Sequence, residues 1–217
     1  MDNNVTNREV DILLVWPPIE NYFSAAVPSI GLAYLAAVLE PHYNVKILEC
    51  NNEGIHTADI AIDYIRKMKP RVVGFHLATI CVPCSEDIIK VLKKDDECPV
   101  FLAGGPHASA LPGETLEIGI DYIAIGEAEA TIIELMDHIT DKPDAKLPDD
   151  IEGIAFMKDG QVVTTNRRKL LDVNTLPYPA WHLFNKEDYS GALRKTAKIL
   201  PVMSKIGNVF RCFHYIL

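Results

Sequence analysis

The feature that most constrains this chain is a regular alternation of two textures along its first 140 residues. Short β-branched runs occur at Asp11–Trp16, Asn44–Cys50, Arg71–His76, Pro99–Ala103 and Ile120–Ile125. Between them lie segments of helical periodicity at Ile30–Leu39, Ala58–Met68, Ser85–Lys94 and Ala130–Ile139, with a shorter helix at Gly113–Glu117. The strand runs are apolar almost throughout instead of alternating, the pattern of strands buried on both faces. Strand, helix, strand, repeated in this way, predicts a parallel sheet with helices on both sides.

The predicted fold class is therefore α/β: a doubly wound parallel five-stranded sheet, flavodoxin-like in its order 2-1-3-4-5. The texture changes after Thr140, where Asp141–Asp150 is rich in Pro and Asp and reads as a linker. Gly153–Met157 and Gln161–Thr165 flank Lys158-Asp159-Gly160, a β-hairpin signal with Asp-Gly at the turn. The organisation expected is an α/β domain over 1–140, a linker and hairpin extension over 141–200, and a final piece over 201–217. In that extension, the segment from Leu176, with two prolines and several aromatics, reads as an irregular connector packed on something.

Composition narrows the partners. Thirty acidic residues against 21 basic ones give a net charge of −9, which argues against a nucleic-acid binder or a protein of anionic membranes. No apolar run approaches the ~20 residues of a membrane span, and the polar start MDNNVTNREV lacks the apolar middle of a signal peptide. Five cysteines, an odd number in a core-rich chain, point to a reduced, cytoplasmic setting.

In an open α/β sheet, ligands bind outside the carboxyl ends of the strands. The residues there are Pro17, Pro18 and Ile19; Leu77, Ala78 and Thr79; Gly104, Gly105, Pro106 and His107; and Gly126, Glu127, Ala128 and Glu129. No acidic cluster follows the first strand and no acceptor Asp the third, which excludes a phospho-receiver. No G-x-G-x-x-G or Gly-rich turn with Lys follows the first strand, which excludes a nucleotide-phosphate loop. Gly104-Gly105 is either a tight turn or a place of very close backbone approach. Cys81-Val82-Pro83-Cys84 at a helix start is a structural pair, a redox pair, or half of a metal site completed by His76 and His107. Arg167-Arg168-Lys169 reads as a solvated basic run.

Together these turns resemble the N-terminal cobalamin-binding domain of cobalamin-dependent radical S-adenosylmethionine enzymes. The resemblance rests on the W-P-P turn (Trp16, Pro17, Pro18), P-S-I-G-L-A-Y-L-A-A-V-L (Pro28–Leu39) and V-V-G-F-H-L-A-T (Val72–Thr79). It continues through G-G-P-H-A-S (Gly104–Ser109), I-G-E-A-E (Ile125–Glu129), I-E-G-I-A-F (Ile151–Phe156) and L-P-Y-P-A-W (Leu176–Trp181). It implies that the crevice holds the corrin cofactor cobalamin, with Pro17, Pro18, Ala78, Thr79, Gly104, Gly105, His107, Gly126 and Glu127 as cofactor-binding positions. On that reading Thr79 donates its hydroxyl to the nucleotide tail or caps a helix, and Glu127 and Glu129 cap the next helix or meet ligand. The D-x-H-x-x-G motif of many free-standing cobalamin modules is missing, because the loop Pro17–Ser29 has no His, leaving His76 and His107 as the imidazoles near the mouth.

In the family, the L-P-Y-P-A-W segment leads to a barrel that opens with a C-x-x-x-C-x-x-C motif for a 4Fe-4S cluster. Aligned on Gly207 and Phe210-Arg211-Cys212, the ligand positions here are Asn208, Cys212 and Tyr215. One thiolate of three cannot hold the cluster. The expectation is a domain without cluster, S-adenosylmethionine or radical chemistry of its own, either a gene remnant or a stand-alone cofactor-binding domain. A thiol or metal enzyme or sensor at Cys81, Cys84, His76 and His107 and a cofactor-free interaction domain are the alternatives. Trp181, Phe184, Phe210, Phe213 and Tyr215 are expected to be exposed and to favour self-association or a partner through this C-terminal segment.

Overall fold

The computed structural model describes residues 9–20, 28–184, 199–203 and 212–216, the last two stretches as backbone alone. Five strands alternate with helices: β1 (Ile12–Trp16), α1 (Ile30–Leu39), β2 (Val45–Glu49), α2 (Ala58–Met68), β3 (Val72–His76), α3 (Val82–Leu92) and β4 (Val100–Gly104). Then follow α4 (Pro106–Ala110), α5 (Pro112–Glu117), β5 (Tyr122–Ala124) and α6 (Glu129–Ile139). A hairpin of β6 (Ile154–Lys158) and β7 (Gln161–Thr164) comes next. A separate two-stranded antiparallel pair, β8 (Ile199–Met203) and β9 (Cys212–Ile216), closes the described chain.

The sheet has seven strands in the order β2-β1-β3-β4-β5-β6-β7, not five. The first five are parallel and follow the expected order. The correction lies in the hairpin, which joins the same sheet. β6 pairs antiparallel with β5 through Tyr122↔Phe156, Ile123↔Ala155 and Ala124↔Ile154. A bare β5 would present unpaired backbone at a sheet edge, and Ile154, Ala155 and Phe156 would present apolar surface; pairing removes both. At the hairpin turn Asp159 (φ 51°) and Gly160 (φ 76°) are both left-handed, as an Asp-Gly turn requires. The connection read as one short helix is two, because Leu111 (φ −130°, ψ 61°) precedes Pro112 and leaves the helical region.

The sheet divides two cores. On one side Leu13, Val15, Val73, Phe75, Phe101 and Ala103 pack with Ile62 and Ile65 of α2, Ile88 and Ile89 of α3, and Leu116 of α5. On the other side Ile12, Leu14, Val72 and Leu102 pack with Leu32 and Ala36 of α1 and Ile132 and Met136 of α6. Helix α1 is fixed at its start. The Ser29 side chain accepts from Leu32 N at 3.3 Å, while Ser29 N donates at 2.6 Å to the buried carboxylate of Glu49 at the end of β2.

The connector docks on the domain, and Trp181 and Phe184, expected to be exposed, are packed there. Ala180 N donates to Ala33 O at 3.0 Å, and His182 Nε2 lies 2.8 Å from Glu40 Oε1, both partners being at α1. Phe184 is 7% exposed and joins the α1/α6 core with Ala180, and Trp181 packs against that core. Apolar surface of this size stabilises when covered, and α1 supplies the cover. Tyr178, by contrast, is 96% exposed. The side chains of Phe210, Phe213 and Tyr215 lie outside the described residues.

Candidate functional site

The strand order reverses between β1 and β3, and the site is built around their carboxyl ends. Side-chain alternation assigns each strand end to a face. Leu102 packs in the α1/α6 core and Phe101 and Ala103 in the other, so Gly104 faces α1 and α6. A Cβ on Gly74 would meet Leu14 and Ile12, so His76, two residues on, shares that face. The α1/α6 side of the carboxyl edge thus carries Trp16, His76, Gly104 and Ala124 in strand order. Trp16 and His76 are in ring contact, with centroids 5.2 Å apart.

The two glycines of the pair do different jobs. Gly105 has φ 102°, and a Cβ there would lie 2.8 Å from Leu77 O. Only glycine fits that turn, which is locked by Leu77 N donating to Gly104 O (2.8 Å) and His107 N donating to Leu77 O (3.0 Å). Gly104 has no such need, since among the described residues a Cβ would find only Ala124 O, at 3.8 Å. Its missing side chain leaves room on the α1/α6 face, a cradle that suits a bulky, largely uncharged ligand.

Two polar side chains stand on this side, His76 and Glu129. Burial pushes the His76 imidazole below its ordinary value, so the ring is neutral at pH 7. Glu129, the first residue of α6, is 8% exposed, and its Oε2 has no hydrogen-bond partner. Burial raises its carboxyl, and the nearby Glu127 adds to the rise. Across from it on α1, the buried Tyr34 hydroxyl is raised by its own burial and by the Glu129 charge.

The remaining expected residues form a rim. Thr79 Oγ1 lies 3.2 Å from Nδ1 of the buried His107, so the Thr79 hydroxyl already has a protein partner. Ala78 is half-buried beside it, and the exposed side chains of Ile80 and Leu111 flank the pair. Pro17 and Pro18 are buried as β1 ends, and Ile19 N donates to Asn51 Oδ1 at 3.2 Å. Gly126 N donates to Ser109 Oγ (3.1 Å). Glu127 is no helix cap: its Oε2 accepts from Leu171 N at 3.2 Å and ties the connector to the β5–α6 turn. Nor is Arg168 a solvated charge, because it donates to Thr131 Oγ1 (2.9 Å) and pairs with Glu134. Cys212 and Tyr215 are described only as backbone in β9, and Asn208 lies outside the described residues.

The thiol and metal alternatives find no geometry. Among the described residues no group of three or more His, Cys, Asp or Glu is disposed to hold a metal ion. Cys81 and Cys84 are buried, and burial raises both thiols. A redox pair activated by a helix start would be lowered instead. Burial holds Cys50 higher still, while Cys98 is exposed just before β4. Sequence reasoning named His76 as an imidazole near the mouth without counting it among the cofactor-binding positions; it is the last residue of β3, a strand beside the switch point.

Residues 22–136 match the B12 binding domain family. Among curated proteins, the chain is 31% identical over 189 residues to an uncharacterized methyltransferase of Pyrococcus horikoshii, covering 84% of this chain and 40% of that protein. It is 24% identical over 197 residues to the anaerobic magnesium-protoporphyrin IX monomethyl ester cyclase of Cereibacter sphaeroides, covering 85% of this chain and 31% of that protein. The chain therefore spans well under half the length of either relative. Among solved structures, the cobalamin-dependent S-adenosylmethionine radical enzyme OxsB with aqua-cobalamin and S-adenosylmethionine bound superposes with a TM-score of 0.67. That match has 16% identity and covers 79% of this chain and 24% of OxsB. The radical S-adenosylmethionine methyltransferase TsrM from Kitasatospora setae, with cobalamin and a 4Fe-4S cluster bound, gives 0.59 at 21% identity over 77% of this chain and 30% of TsrM. These structural likenesses show the shared fold. No helix among the described residues is long and apolar enough to cross a membrane. From the match that spans α1 through most of α6, the chain belongs to the B12-binding domain family.

Proposed function

We propose that this chain is the cobalamin-holding part of a radical S-adenosylmethionine type enzyme or methyltransferase. The observation that carries the reading is the cradle at the β1–β3 switch point. Gly104 leaves a face open, Trp16 and His76 border it, and Glu129 presents a buried oxygen with no partner. These residues would hold a corrinoid on the α1/α6 side. When bound, cobalamin supplies a cobalt centre for methyl transfer or one-electron chemistry. The protein's part is to bind and orient. Trp16 and Tyr34 offer aromatic surface, and His76 and Glu129 offer hydrogen bonds. The Thr79–His107 pair, with Ile80 and Leu111 beside it, provides a rim that is polar at one point and apolar around it. His107 engages Thr79 here, which argues for a positioning role at the rim over ligation of cobalt.

The segment 201–217 is proposed not to assemble a 4Fe-4S cluster by itself, since Asn208 and Tyr215 stand where thiolates are needed. Radical chemistry in this family setting then depends on ligands from elsewhere. A reducing compartment suits the thiols of Cys50, Cys81 and Cys84.

The test is to incubate the purified chain with hydroxocobalamin and separate it by gel filtration. Corrin absorbance that co-elutes with protein is the expected result. Loss of all corrin from the protein peak would overturn the reading in favour of a cofactor-free interaction domain. Iron analysis after anaerobic reconstitution checks the second proposal, which fails if about four irons per chain are retained.

A further inference from the structure

We propose that the open edge of the sheet, β7, is a self-association surface. A second copy of this chain docks its own β7 there, antiparallel, across a two-fold axis at Val163. This surface lies at the far edge of the sheet from β1 and β3, and it is independent of whether cobalamin is held at their ends.

The starting observation is the direction of the backbone groups. β7 is the last strand of the sheet and pairs with β6 alone. The two-residue turn Asp159-Gly160 makes Lys158↔Gln161 a hydrogen-bonded pair, and an antiparallel ladder alternates from there. Phe156↔Val163 is the next bonded pair, and Thr165 N donates to Ile154 O at 3.0 Å after it. Met157↔Val162 and Ala155↔Thr164 are the pairs between. The N–H and C=O groups of Val162 and Thr164 therefore point out of the sheet, where no strand takes them among the described residues.

Exposed edges are normally guarded by charge or proline. The opposite edge, β2, carries the exposed Lys46. β7, Gln161–Thr164, has neither guard and offers apolar surface. Val162 is 45% exposed, and its register partner Met157, on the same face, is 47% exposed. On the other face Val163 is half-buried against the small core of Leu135, Ile154 and Phe156.

The occupant that fits is the same strand. The two outward residues flank Val163, so the edge complements itself: Val162 opposes Thr164 of the second copy, and Thr164 opposes its Val162. Each pair exchanges both backbone hydrogen bonds, which uses every outward group of the strand. Val163 meets its own counterpart on the axis, joining the Phe156–Val163 rows of both copies into one apolar stripe. Charge agrees with this register, which brings Arg167 of the second copy toward Asp159 at the turn, both side chains being exposed. A strand of four residues makes a small interface, so the expected Kd is on the order of 10–100 µM.

Sedimentation equilibrium of the 217-residue chain in about 0.15 M salt tests the proposal. Average mass is expected to rise from one chain toward two between about 1 µM and about 500 µM. Val162→Lys and Thr164→Pro are expected to weaken the dimer about tenfold or more. Their melting temperatures in dilute solution are expected to stay near the parent's, because neither backbone N–H bonds to β6. Val163→Cys tests the axis, in a Cys98→Ser, Cys212→Ser background. Diamide is expected to oxidise its thiol pair to a disulfide linking two chains, since a residue on the axis meets itself at disulfide range. Val162→Cys, off the axis, is expected to link far less. A parent chain that stays monomeric overturns the inference. So does a dimer that both edge variants leave intact, which would place association elsewhere, the C-terminal segment included. A dimer that those variants dissolve but Val163→Cys does not link overturns the two-fold register.

Discussion

Trp16 and His76 stand side by side where the sheet changes direction, their ring centroids 5.2 Å apart and their planes inclined by 57°. One ends β1 and the other ends β3, neighbouring parallel strands in which Val15 pairs with Phe75. The His76 ring is held where water reaches it poorly.

That burial makes His76 a source of pH-dependent stability. Its folded-state value is below the ordinary 6.5, so the unfolded chain takes up the proton first as pH falls. Stability is fully present above about pH 6.5 and is lost as pH drops through that value toward the folded one. Urea unfolding at pH 8 and pH 5.5 should show the loss in the parent, and His76→Gln should show a smaller one. An equal loss in both would place the acid sensitivity in another group.

Gly104 and Gly105 are expected to separate binding from folding. Gly104→Val should leave the melting temperature nearly unchanged, since the nearest atom to its Cβ is 3.8 Å away, yet abolish co-elution with hydroxocobalamin. Gly105→Ala should cost about 2 kcal/mol or more of stability, because it forces an L side chain into φ 102° against Leu77 O. Circular dichroism melts and the gel-filtration assay together check both statements.

Arg168 should act as a latch. Its side chain is 16% exposed, pairs with Glu134 and donates to Thr131 Oγ1. Arg168→Ala leaves those partners unsatisfied and is expected to cost about 2 kcal/mol. Limited proteolysis should then cut the chain between β7 and the docked Ala180 sooner than in the parent. An unchanged cleavage pattern would show that Glu127, through Leu171 N, holds this stretch alone.

Phe184 fills the α1/α6 core from the connector. Phe184→Ala should cost about 3 kcal/mol. A loss below about 1 kcal/mol would mean that the connector rests on the domain without contributing to it.

Much of the fold was legible because its signals are local. Apolar runs fixed the strands, and α1 and α2 begin and end where periodicity places them, at Ile30–Leu39 and Ala58–Met68. The Asp159-Gly160 turn was readable for the same reason. The sheet's true width was not, because whether a hairpin pairs with β5 depends on a free edge nearly thirty residues away in the chain, not on the hairpin's own residues. Site residues divide in the same way. Strand-end turns were readable as a set, but the partners of Thr79, Glu127 and Arg168 come from other elements and carry no local mark. The burial of Phe184 was missed for a related reason: an aromatic tail reads as exposed until the groove that receives it is known.

The two cores on either side of the sheet imply a division of labour. On the proposed reading, the layer with α2, α3 and α5 serves as foundation, and the layer with α1 and α6 as the socket. Substitutions in the first should shift how well the domain stands, and substitutions in the second what it grips. The socket can thus be re-cut for another ligand while the foundation keeps the strand ends in register.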